Sequence, residues 1–70
     1  MLSGREVVKA LSKVGFALAR QKGSHIILTK ETEESKKGVV VPNHKEIAKG
    51  TLRSIIEDAG LTVKDLIDLL

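Results

Sequence analysis

The sequence contains no cysteine. That excludes a disulfide framework, a thiolate nucleophile and a cysteine-based metal site, and it suits a reducing compartment such as the cytoplasm without establishing one. Aromatic residues are nearly absent. Phe16 is the only one, so no nucleic-acid platform built by stacking bases on Phe, Tyr or Trp is available. No apolar run approaches the ~20 residues of a membrane-spanning helix, and no membrane association is expected. Met1 to Lys13 alternates charged and apolar residues, which is not the pattern of a secretory signal. No repeat, linker or low-complexity stretch interrupts the chain, and its 70 residues fit a single domain spanning 1–70. A domain of this size buries only ~60% of the surface its unfolded chain exposes, so its core has to be efficient.

Charge is unevenly placed. Residues 1–53 carry eleven Lys/Arg against five Asp/Glu, a balance of +6, whereas residues 54–70 carry Lys64 against Glu57, Asp58, Asp65 and Asp68, a balance of −3. The first three-quarters of the chain therefore suits a polyanionic partner and the last quarter does not.

Local patterns give an α+β order. Ser3-Gly4-Arg5-Glu6 fits a capping box, and Val7, Ala10, Leu11 and Val14 make one apolar helical stripe that Gly15 terminates, which predicts a helix over 4–14. Phe16 to Gln21 reads as a strand with Phe16, Leu18 and Arg20 along one face. Gly23-Ser24 marks a turn. His25 to Lys30 is apolar on both faces, as a central strand would be. Residues 31–37 read as a polar loop, and Gly38 to Val41 as a strand that Pro42 closes. Asn43 and Glu46 have cap spacing, but Gly50 would interrupt a helix begun there, so the secure second helix is Thr51 to Ala59, ended by Gly60. Thr62 and Asp65 cap a short terminal helix. The expected architecture is a small α-β-β-β-α domain with a three-stranded antiparallel sheet, one face under helices and the other open.

The candidate chemistry centres on Arg20-Gln21-Lys22-Gly23-Ser24-His25. Histidine exchanges protons near neutrality, and a hairpin would return Arg20 and Lys22 towards His25. Phosphodiester cleavage in RNA needs a base for the 2′-hydroxyl and cations for the charge that develops on phosphorus. Strand alternation puts His25, Ile27 and Thr29 on one face and Ser24, Ile26 and Leu28 on the other. Ser24 has no adjacent base and reads as a turn residue that bonds backbone or phosphate. His44 is the second titratable candidate, although nothing in the sequence brings it to His25. Lys45, Lys49 and Arg53 gather near the start of the second main helix, where cations disfavour the helix and so point to phosphate. No metal-ligand spacing and no Gly-rich phosphate loop occurs, so neither metal nor cofactor is expected. The plainer reading of each histidine is a surface side chain without a role.

Five ordered segments together resemble the HicA family of toxins. They are Gly15-Phe16, Arg20-Gln21 with Gly23-Ser24-His25, Val41-Pro42 with His44, Lys49-Gly50-Thr51-Leu52 with Ile55, and Ala59-Gly60-Leu61. The resemblance implies a fold like a small double-stranded RNA-binding domain, cleavage of mRNA, a cytoplasmic location, and a cognate HicB-like antitoxin that masks the site. The family's functional histidine, which follows Gly-Ser, corresponds to His25. The expectation is thus a metal-independent endoribonuclease, monomeric when free of antitoxin. In it His25 is the general base or general acid, Arg20, Lys22, Ser24, His44, Lys45 and Lys49 contact RNA, and His44 is a possible second acid. The alternatives are a non-catalytic RNA-binding module, since duplex RNA is recognised largely by shape and backbone, and a protein-interaction domain that uses the open sheet face. The acidic stretch Glu31 to Glu34 would have to point away from RNA.

Overall fold

The computed structural model describes residues 2–70. Along the chain run α1 (Gly4–Ser12), β1 (Ala17–Lys22), β2 (His25–Glu31), β3 (Lys36–Pro42), α2 (Lys49–Asp58) and α3 (Val63–Leu69). The strands form one antiparallel sheet in the order β1-β2-β3. The expected α-β-β-β-α order is therefore present, followed by the short terminal helix.

Local chemistry sets the helix ends. At α1 the Ser3 hydroxyl accepts from the Glu6 N–H (3.2 Å) and the Glu6 carboxylate accepts from the Ser3 N–H (3.1 Å). At α3 the Thr62 and Asp65 pair repeats this reciprocal box at 3.1 and 2.9 Å. Two helices stop in the same way. Gly15 and Gly60 take φ of +99° and +75°. The N–H groups of Gly15 and Phe16 then donate to the carbonyls of Ser12 and Leu11, and those of Gly60 and Leu61 donate to Glu57 and Ile56. Both are Schellman closures, each with an apolar pair (Phe16 on Leu11, Leu61 on Ile56) across the end. Regular α1 ends at Ser12, two residues short of the expected Val14, because the last turn tightens to reach Gly15. The Asn43 and Glu46 cap does not form. α2 starts at Lys49 behind Ala48, which supplies no side-chain cap.

These boxes have an acid signature. Hydrogen bonds from the Ser3 backbone and side chain hold the Glu6 carboxyl below its ordinary value, and those from Thr62 do the same for Asp65. A depressed folded pKa stabilises the fold above the unfolded value, and that contribution is lost as pH falls through the folded one. Stability should therefore decline below about pH 5, and the decline should be shallower in a Glu6→Gln, Asp65→Asn double variant followed by thermal melting across pH.

The core lies between the helices and one sheet face. Val7 and Leu11 of α1, Leu28 of β2, and Val39 and Val41 of β3 are almost completely enclosed. They pack with Phe16, Ile26, Ile47, Ile55 and Ala59. A smaller cluster of Ala10, Ile56 and Leu66 fastens α3, and the Lys13 ammonium donates to the Leu69 carbonyl (2.7 Å) at its end. Among the described residues no buried polar side-chain atom lacks a partner.

Gly4 is the point where α1 meets the end of β3. A Cβ there would collide with the carbonyl oxygen of Pro42, and the Gly4 N–H donates to the His44 carbonyl (2.9 Å). Gly4→Ala is expected to cost about 1–3 kcal/mol through the forced backbone shift, measured as a lower urea midpoint with unchanged m-value. The same shift should displace the segment that carries His44.

Candidate functional site

The β1–β2 hairpin closes around Gly23-Ser24, with Lys22 paired to His25. Gly23 has φ +57° and no non-glycine residue has positive φ among the described residues, the sign pattern of a type II′ turn. Farther from the turn, the pairing passes from Leu18↔Leu28 to Arg20↔Ile27, so Ala19 is an extra, unpaired residue. This bulge corrects the sequence reading of β1. Simple alternation puts Arg20 on one face with Phe16 and Leu18, on the helix side. The extra residue instead turns Arg20, and Lys22 after it, to the face of their partners Ile27 and His25.

That face is the open one. Ile26 and Leu28, at 7% and 1% exposure, point into the core, whereas His25 is exposed and Ile27 and Thr29 are half-buried. The expected grouping of His25, Ile27 and Thr29 is therefore present. Val40, opposite Ile27 on β3, is 51% exposed beside them. The acidic loop between β2 and β3 lies at the other end of β2, about 20 Å from His25 at the usual rise per residue. Lys36 and Lys37, which the sequence assigns to a loop, belong to β3 and pair with Glu31 and Lys30.

The chain after β3 delivers His44 to the same place. The Asn43 N–H donates to the Ser24 carbonyl (2.6 Å), tying this segment to the hairpin turn, and the Ile47 N–H donates to the Leu2 carbonyl (2.8 Å). Ile47 is buried, which anchors the far end of the segment. Between these ties, His44 and Glu46 line a hollow of about 480 Å³ together with His25, Val40, Pro42 and Thr51.

The seven candidate residues of the sequence thus separate. His25 and His44 share the hollow. Arg20 and Lys22 lie on the same sheet face, Lys22 directly opposite His25. Ser24 sits in the turn, with its carbonyl engaged by Asn43. Lys45 is exposed next to His44 but does not line the hollow. Lys49 opens α2 and lines a different hollow, between α2 and α3, with Arg53. Glu46 and Thr51 line the site without having stood out in the sequence. Glu46 lies in a bend after His44, which no periodicity in the sequence signals, and the cap spacing of Asn43 and Glu46 draws the eye instead to a candidate helix start. Among the described residues no group of three or more His, Cys, Asp or Glu is placed to hold a metal ion, and no helix is long and apolar enough to cross a membrane.

Chemically, the hollow offers two imidazoles and a carboxylate at the edge of a face that carries two cations. Paired imidazoles allow one group to take a proton while the other gives one, and cations beside them favour an anionic substrate. The chain matches the family model described as the HicA toxin of bacterial toxin–antitoxin systems over residues 4–61. No curated protein shows significant similarity to it.

Proposed function

The chain belongs to the HicA toxin family of bacterial toxin–antitoxin systems, with a cognate antitoxin as its partner, and we propose that its toxic activity is metal-independent endonucleolytic cleavage of mRNA in the cytoplasm. The observation that carries this reading is the shared hollow of His25 and His44, beside the face that bears Arg20 and Lys22. One imidazole removes the proton from the ribose 2′-hydroxyl. The 2′-oxygen attacks phosphorus, the bond from phosphorus to the 5′-oxygen breaks, and the other imidazole protonates the departing oxygen. Arg20 and Lys22 offset the negative charge that accumulates on the phosphoryl oxygens. The proposed chemistry calls on no residue of a second copy, and in this reading the free toxin acts as a monomer. The Gly23-Ser24-His25 motif, by its resemblance to the family's, supports His25 as the functional histidine. Glu46 supplies a carboxylate at the same hollow, an acceptor for the N–H of an imidazole that has taken up the proton.

Expression in a bacterial host tests the reading. Wild type should arrest growth and shorten mRNA, His25→Ala should do neither, and co-expressed antitoxin should relieve the arrest. Equal arrest by both proteins would remove His25 from the chemistry. RNA that is retained by the purified protein but never cut would leave a binding module in place of an enzyme.

A further inference from the structure

The second hollow lies on the helical layer. It encloses about 530 Å³ between α2 and α3 and shares no lining residue with the His25 hollow. Leu52 and Ile56 of α2 form one wall, and Val63, Ile67 and Leu70 the other. These last three recur at i, i+4 and i+7, a single helical stripe. Each is more than half exposed, at 54%, 60% and 56%. α3 is fixed by buried Leu66, which also lines the groove, by its capping box and by the Lys13 tie to Leu69. The stripe is therefore held in place yet left uncovered.

The charged side chains at this groove are Lys49 and Arg53, both cationic, and among the described residues no Asp or Glu side chain lines it. They stand at i, i+4 on α2, where like charges repel, and Lys49 sits in the first turn, where the helix dipole disfavours a cation. An anionic partner relieves both costs. α3 also lies beyond residue 61, where the family match ends, so this wall is built by sequence outside the matched region.

We infer that this groove docks an amphipathic helix of the cognate antitoxin, its apolar ridge flanked by Asp or Glu, at a site separate from the His25–His44 hollow. The inference rests on the antitoxin partnership and not on the nuclease chemistry. A groove along seven-residue α3 is about 10 Å long, which matches two turns of a docked helix. A second copy of the chain fits less well, because a two-fold contact would oppose the cations of one copy to those of the other. A bilayer surface is flat, whereas the groove is concave.

The test uses the full chain and a fluorescent 14-residue helical peptide with Leu at i, i+3, i+4 and i+7 and Glu elsewhere, next to the same peptide with Lys for Glu. The Glu peptide should bind and the Lys peptide should not. Ile67→Asp and Arg53→Glu should each weaken binding by about tenfold or more, with unchanged melting temperature since both positions are exposed. Purified antitoxin should displace the Glu peptide. Equal binding of the two peptides, binding that neither substitution weakens, no displacement by antitoxin, or a wild-type dimer in sedimentation that Ile67→Asp dissolves would each overturn the inference. Cleavage of RNA is read in the same samples. Its absence while the peptide still binds would overturn the nuclease reading alone.

Discussion

Replacing His25 with alanine is expected to slow RNA cleavage by about 10²- to 10⁴-fold, the usual share of general acid–base catalysis, without changing the melting temperature. The side chain is exposed, so its removal leaves no core cavity and strands no buried partner. Loss of activity in a fully folded protein therefore isolates the chemistry from the fold. His44→Ala should fall within the same range, because one imidazole without the other leaves either the attacking or the departing oxygen unassisted. The His25→Ala, His44→Ala double variant should lose much less than the product of the two single losses, since groups that act as a unit in one step are not additive. Single-turnover cleavage of a defined RNA oligonucleotide by the three variants measures this. Losses that multiply would separate the two histidines into independent roles.

Leu28→Ala should have the largest effect on stability. Leu28 lies at the centre of the middle strand, 1% exposed, with β1 paired on one side and β3 on the other. Large-to-small substitution at such a site costs about 2–5 kcal/mol through lost burial and the cavity left behind. A 70-residue chain has only about 4–10 kcal/mol of stability to lose, so the variant should be partly or wholly unfolded at 37 °C. Urea denaturation at 15 °C and 37 °C checks this. The expected outcome is a shift of the midpoint by more than half of the wild-type value. Ile27→Ala, one residue away on the open face, should shift it much less.

The contrast between Leu28 and Ile27 also marks how far the sequence carries. Helix ends are legible because their signals are local. Ser3 with Glu6 and Thr62 with Asp65 each close a box within four residues, and Gly15 and Gly60 relax the steric limit on left-handed backbone at the point where the chain turns. The alternation in β2 is legible too, and it places His25 on the open face. The bulge at Ala19 is not. Ala17-Leu18-Ala19 has no glycine and no residue whose φ demands it, and the extra residue is fixed only by pairing with β2. That one residue decides whether Arg20 and Lys22 face the open side or the helices. The convergence of His25 and His44 on one hollow is likewise hidden, because it depends on the Asn43 bond to the Ser24 carbonyl and on the close approach of Gly4 to Pro42. Such backbone contacts between distant segments leave no periodicity. The start of α2 carries no signal at all, since Ala48 caps nothing, and the sequence offers Glu46 only as a candidate cap rather than as part of the hollow it lines.

The groove between α2 and α3 and the histidine hollow share no lining residue, although both reach the start of α2. An antitoxin that occupied both would cover the site that cuts and hold the surface built by α3. Partner choice would then reside partly in sequence outside the family-matched region, where it can vary without touching the chemistry.

The most direct measurement is the identity of the new RNA ends. A synthetic RNA is incubated with the purified toxin in excess EDTA and the fragments are weighed by mass spectrometry. Attack by the 2′-hydroxyl between two imidazoles requires a 2′,3′-cyclic phosphate on one fragment and a 5′-hydroxyl on the other, formed without added metal. Fragments that carry a 5′-phosphate and appear only when Mg²⁺ is supplied would contradict it.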